Sequence, residues 1–208
     1  MMTPSPLIRW TGMAAILGGA IWILSYVMNA FTQDGTRAVL GLSEPGWRTV
    51  LNLALVFFIA ALLGLHRQRR DRLRRLGLGG LLVSVVALVA MLVGNVLEFW
   101  VFPPSNHAGW ITFLVGFFVL GLGNMGLGTG AIRSRALNTY TAALLICWLP
   151  VGLLGLLLRP MGVSNVMTGV VLLGLIPFAW IALGYDLWRY ADEDSRAPRA
   201  ARAGRRSR

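Results

Sequence analysis

The sequence predicts an all-α fold: an integral membrane bundle of six transmembrane helices with both termini on the cytoplasmic side. Three observations predict it. First, of the 208 residues 56% are hydrophobic and 13% charged, against about 25% charged in an ordinary soluble domain. A chain of this size has too little interior to hide that much apolar surface from water. Second, the apolar residues gather into six runs, each able to cross a ~30 Å hydrocarbon core at a rise of about 1.5 Å per residue. Third, the arginines fall unevenly between those runs.

That unevenness sets the orientation. His66-Arg67-Gln68-Arg69-Arg70-Asp71-Arg72-Leu73-Arg74-Arg75 carries six arginines in ten residues. An arginine at the centre of a membrane helix costs roughly 2.5–3.5 kcal/mol, so this loop stays outside the hydrocarbon. Short basic loops are retained in the cytoplasm. With both ends inside, 16 arginines are cytoplasmic: Arg9, the six of the loop, Arg133, Arg135, Arg189 and six from Arg196 to Arg208. Three, Arg37, Arg48 and Arg159, fall on the other side. Topology therefore accounts for the net charge of +11, and nucleic-acid binding is not implied. All 19 basic residues are arginine, which with the abundant Ala, Gly and Leu suggests a high-GC bacterial genome and so a bacterial inner membrane.

Taken in order, the first span covers about 7–31. Its apolar stretch is longer than the 7–15-residue core of a signal peptide, and Met28 would stand where cleavage after Ala30 needs a small residue. It reads as an uncleaved helix. Asp34, Gly35, Glu44, Pro45 and Gly46 mark a loop. The second span, 47–65, delivers the chain to the arginine loop, and the third, 76–100, returns. Pro103-Pro104 stiffens the next connection. The fourth span is 110–132, with Arg133 and Arg135 at its inner end. The fifth is 136–158, followed by a turn at Arg159-Pro160, and the sixth is 163–187. Together these make a transmembrane domain over 1–188. The tail 189–208 is rich in Arg and Ala without apolar periodicity and reads as a disordered cytoplasmic extension. Trp47, Trp100 and Trp110 fall at the outer surface, and Trp10 and Trp188 at the inner one, as aromatic belts require. Residues 7–100 and 110–188 share no motif, so an inverted repeat is not supported.

Few residues offer chemistry. Ser84, Asn95 and Glu98 share one face of the third span by the 3.6-residue period. With Asn124 they form a candidate polar or transport site, since an ionisable residue within a span is a functional hypothesis by default. Glu98 nonetheless lies two residues from Trp100, where interfacial water can solvate it. His107, with Glu98, Asp34 and Glu44 on the same side, has ligand chemistry but no ligand spacing, so no metal site is assigned. Gly121-Leu122-Gly123-Asn124-Met125-Gly126 matches G-x-G-x-x-G without a preceding strand. Helix packing explains it better. Gly126 and Gly130 form a GxxxG pair, and Gly116, Gly123 and Gly130 recur every seven residues, presenting a smooth strip to a neighbour across which Asn124 can hydrogen-bond. Pro150 and Pro177 should kink the fifth and sixth spans. The single Cys147 excludes an internal disulfide. The arginines Arg67, Arg69, Arg70, Arg72, Arg74 and Arg75 are candidates for anionic lipid headgroups.

The opening Leu7-Ile8-Arg9-Trp10-Thr11-Gly12-Met13-Ala14-Ala15-Ile16-Leu17-Gly18-Gly19-Ala20 resembles the start of small multi-pass membrane proteins of unknown function from high-GC bacteria. The resemblance implies a multi-pass fold and brings no activity with it. The expectation is therefore a non-enzymatic accessory or interaction component of the inner membrane, without cofactor or catalytic residues, whose partners are the bilayer, a membrane protein or a second copy of itself. The alternative is a small transporter or channel-like subunit using Asn95, Glu98 and Asn124.

Overall fold

The computed structural model describes residues 6–32, 38–73, 75–101, 107–157 and 175–190. Asp34, Arg74, the diproline connection, the Arg159-Pro160 turn, the first half of the sixth expected span and the tail from 191 onward lie outside the described residues. Among the described residues all regular structure is helical. The helices are α1 (Pro6–Thr32), α2 (Glu44–Arg69), α3 (Arg75–Val96), a π-helical turn (Leu97–Val101), α4 (Ala108–Ser134), α5 (Thr139–Leu157) and α6 over 175–190. Four of them, α1 to α4, hold stretches long and apolar enough to cross a membrane, and α5 is a shorter apolar helix. Their outward faces carry large apolar side chains such as Leu53, Leu82, Val86 and Leu122. Apolar residues inside and out suit a bundle whose solvent is lipid. This is the architecture of a multi-pass membrane protein.

The helix ends follow from local chemistry. α2 starts at Glu44, earlier than its apolar run, because Pro45 in the first turn lacks only an N–H that would have no helical partner there. Glu44 adds negative charge at the positive end of the helix dipole. At its other end α2 continues through Arg69, so the basic stretch begins as helix, with His66, Arg67 and Arg69 beside the terminal carbonyls. Arg67, Arg70, Arg72 and Arg75 are exposed. Arg69 differs: only 5% exposed, it holds its guanidinium 3.9 Å from the ring centroid of Tyr190 in α6. Its cation lies against a ring face inside the bundle. The tail boundary moves too, because Arg189 and Tyr190 still belong to α6.

α4 ends on Arg135 at φ 52, whose N–H bonds back to the last turn in the left-handed cap usually given to glycine. Asn138 starts α5 by accepting the Tyr140 N–H at 3.1 Å. Its own N–H donates to Asp186 of α6 at 3.0 Å. α5 runs through Pro150, which takes away the bond to Ile146 without ending the helix.

The closest packing is between α3 and α4. Gly77 backs onto Gly130, Gly80 onto Gly123 and Leu127, Ser84 onto Gly123, Met91 onto Gly116, Gly94 onto Gly109 and Phe113, and Glu98 onto Gly109. Two seven-residue series thus run antiparallel: Gly77, Ser84, Met91, Glu98 against Gly130, Gly123, Gly116, Gly109. A seven-residue period keeps one seam facing its partner with a left-handed twist, and small residues on it let the backbones touch. On the other side of the bundle α1 lies against α2 and α6. Gly18 accommodates Phe58, and Gly12 faces Gly184. Phe58 sits at the centre, stacked on Trp180 at 4.2 Å and tilted against Trp22 at 5.9 Å. Phe117 of α4 meets Trp148 of α5 edge-on at 5.3 Å.

Candidate functional site

The polar residues singled out from the sequence do not converge. α3 has α4 on one side and α2 on the other, and the shared face of Ser84, Asn95 and Glu98 divides between them. Ser84 Oγ donates to Asn124 Oδ1 at 3.0 Å, buried between α3 and α4. Asn95 Nδ2 turns to α2 instead, donating to the Arg48 carbonyl at 2.8 Å and to Asn52 Oδ1 at 2.7 Å. Glu98, in the π-helical turn, accepts the Trp110 N–H at 2.8 Å and so neutralises a free donor at the start of α4. Each is an interhelical tie with its own partner. Gly116, Gly123 and Gly130 press against α3, and Gly126 lies beside Gly80. In the same G-x-G-x-x-G run Gly121 faces Leu149 of α5, so two faces of α4 are packed there. His107 is exposed just ahead of α4, and no three His, Cys, Asp or Glu gather among the described residues. Cys147 is exposed.

A different site appears where the C-terminal half of α1 meets the starts of α2 and α4. A cavity of about 320 Å³ opens there, at the small end of the range for ligand pockets. α1 contributes Trp22, Ser25, Tyr26 and Asn29, which share a face at helical spacing. α2 contributes Trp47, Arg48 and Leu51, and α4 contributes Trp110, Phe113, Leu114 and Phe117. Six of these eleven side chains are aromatic.

The walls are fixed from behind. The Trp47 indole N–H donates to the Val39 carbonyl at 3.3 Å, in the tight turn where Leu40 and Gly41 both have positive φ. Arg48 places its guanidinium 5.4 Å from the Phe99 ring centroid, reaches Glu44 at 3.8 Å and presents its carbonyl to Asn95. Trp100 Nε1 donates to Thr49 at 3.1 Å, holding the π-helical turn on α2.

Four polar atoms of the wall are left over. Trp22 Nε1, Ser25 Oγ, Asn29 Oδ1 and Arg48 Nε are buried without a hydrogen-bond partner among the described residues. Trp22 and Ser25 are each 2% exposed and Asn29 is 7%. A buried donor or acceptor left unpaired costs about 1–3 kcal/mol, so such groups are few and call for an explanation. Asn124 Nδ2, Trp148 Nε1 and Trp180 Nε1 are likewise unpaired among the described residues, away from this cavity. Sequence reasoning missed it because its walls come from three helices far apart in the chain. The signal available was the polar pair Ser25 and Asn29, one turn apart on the same face as Trp22, in a helix that is otherwise apolar.

A second cleft of about 460 Å³ lies at the opposite end, among Arg135, Asn138, Asp186, Arg189 and Tyr190. Its buried carboxylate, Asp186, is already engaged by Asn138.

Fold and cavity together define a helical multi-pass membrane protein with a small aromatic pocket. No protein-family profile matches the chain, and neither a curated protein nor a solved structure matches it.

Proposed function

We propose that this chain is a six-span protein of the bacterial inner membrane, both termini cytoplasmic, that works as a non-catalytic accessory component by holding a small membrane-soluble molecule. The arginine distribution, 16 against three, supports the orientation. It puts the aromatic cavity in the outer half of the bilayer and the exposed arginines Arg67, Arg70, Arg72 and Arg75 beside the anionic headgroups of the inner leaflet. The observation that carries the binding role is the cavity of about 320 Å³ lined by six aromatic side chains where three helices meet. The described wall contains no His, Cys, Asp or Glu. It offers ring surfaces to hold a molecule. A transport path through Asn95, Glu98 and Asn124 gains no support from their three separate bonding environments.

Two measurements test this. Reporter fusions at both ends should report cytoplasm; a periplasmic signal from either end sinks the orientation. Native mass spectrometry of protein released gently from its own membrane should find one small molecule bound per chain. The cavity-filling substitution Ser25→Met should abolish it. An adduct that survives Ser25→Met, or no adduct under any mild extraction, sinks the cavity's role.

A further inference from the structure

The cleft that holds Arg135 and Arg189 differs from the aromatic cavity in what it exposes. Arg135 closes α4, Thr139 opens α5 and Arg189 stands near the end of α6; all three line the cleft and are exposed. The space measures about 460 Å³, room for a headgroup and not for a whole lipid. The carboxylate of its described wall, Asp186, is 4% exposed and already accepts the Asn138 N–H at 3.0 Å.

The charges of this wall do not cancel. Two guanidiniums against one carboxylate leave one net positive charge. Arg135 forms no ion pair among the described residues. Its backbone, at φ 52, holds a left-handed cap where glycine is the easier residue, so a cation is presented from a position that disfavours any side chain. Thr139 adds a hydroxyl and, as the first residue of α5, an N–H at the positive end of the helix dipole. Forked cations with a hydroxyl donor suit a phosphate, whose oxygens take paired N–H bonds from arginine. The single net charge matches a phosphodiester, which is singly negative. Ile132, 42% exposed, carries the wall onto the apolar outer surface of α4, where the chains of a lipid can lie.

We propose that this cleft binds the phosphodiester of an anionic phospholipid, with Arg135 and Arg189 as its cations and Thr139 as a further donor. Asp186 is a positioning residue: by holding Asn138 it fixes the start of α5 against α6. The site is separate from the aromatic cavity and from the exposed arginines between α2 and α3. It rests on the orientation proposed above only for its leaflet, the inner one.

The test uses the full chain in phosphatidylcholine nanodiscs that carry a small fraction of phosphatidylglycerol. Native mass spectrometry should find one phosphatidylglycerol retained per chain. Arg135→Gln should lower its retention by about tenfold, as loss of a charge-assisted pair of hydrogen bonds does. Arg135→Lys should recover only part of it, because an ammonium lacks the fork. Arg133→Gln removes the same charge from the last turn of α4 but outside the cleft, and should change retention by less than about twofold, since salt screens an exposed charge away from the contact. Equal losses in Arg133→Gln and Arg135→Gln mean diffuse surface charge and overturn the site, as does phosphatidylcholine retained as firmly as phosphatidylglycerol. Inorganic phosphate that binds the delipidated chain in an Arg135-dependent way, while phosphatidylglycerol is not retained, overturns the lipid in favour of free phosphate. Ser25→Met should leave retention unchanged; a loss there places the lipid in the aromatic cavity instead and overturns this site. Nanodiscs present both faces of the protein, so a wrong orientation in the fusion assay moves the leaflet and not this readout.

Discussion

The α3–α4 seam and the α1–α2–α4 cavity are built from similar materials to opposite ends. Both contain small and polar residues inside apolar helices. Along the seam Ser84 and Asn124 find each other and glycines bring the backbones into contact. Around the cavity Ser25, Asn29, Trp22 and Arg48 keep bonding capacity unspent. In a bilayer no bulk water relieves such groups, so each unpaired one weighs against stability. The contrast teaches that polarity within a membrane helix is informative only with its partner: Ser84 and Asn95 tie α3 to different neighbours, while Ser25 makes no such tie.

Substitutions can break or sharpen that contrast. The largest effect is expected from Gly80→Val. Its Cβ would overlap Leu127 N and lie 2.6 Å from the Gly123 carbonyl, backbone that no rotamer change can move. A loss of about 3 kcal/mol or more is expected, read as collapse of the folded fraction in fluorescence-detected size exclusion. Asn95→Leu comes next, since it takes a partner from both the Arg48 carbonyl and Asn52; about 2 kcal/mol should disappear in thermal unfolding. Ser84→Ala removes one buried hydrogen bond and should cost about 1 kcal/mol. The smallest effect is the most discriminating. Ser25→Ala deletes a hydroxyl of equal burial but without a partner, so the ligand-free protein should change by less than about 0.5 kcal/mol or become more stable. A Ser25→Ala cost matching that of Ser84→Ala would erase the distinction between the two regions.

The two regions also differ in how far sequence alone reveals them. The seven-residue recurrence of Gly116, Gly123 and Gly130 is a pattern within one helix, so a packing strip is legible before any fold is known. Its partner is not, because Gly77, Ser84 and Met91 mix three residue types. The start of α2 was not legible: Glu44, Pro45 and Gly46 read as loop residues, yet a proline is equally at home in a helix's first turn, where its missing N–H has no partner to lose. Asn95 and Asn124 look alike as polar residues within spans, and only the neighbours α2 and α4 decide that they serve different seams. Arg69 shows the same limit, for nothing in the basic run distinguishes the one arginine that covers Tyr190. The cavity lay beyond reach because two of its tryptophans, Trp47 and Trp110, stand near span ends and carry the same signature as an interfacial belt.

The seam has one consequence for biogenesis. Residues 75–134 are contiguous, and every contact of the glycine strip lies within them. This pair can therefore dock as soon as both helices have left the ribosome, ahead of any later segment, as short-range contacts generally form first. The rest must wait: Phe58 gains Trp180, and Arg69 gains Tyr190, only when α6 arrives. Translation order thus separates a core completed early from a half that closes last around α1 and α2.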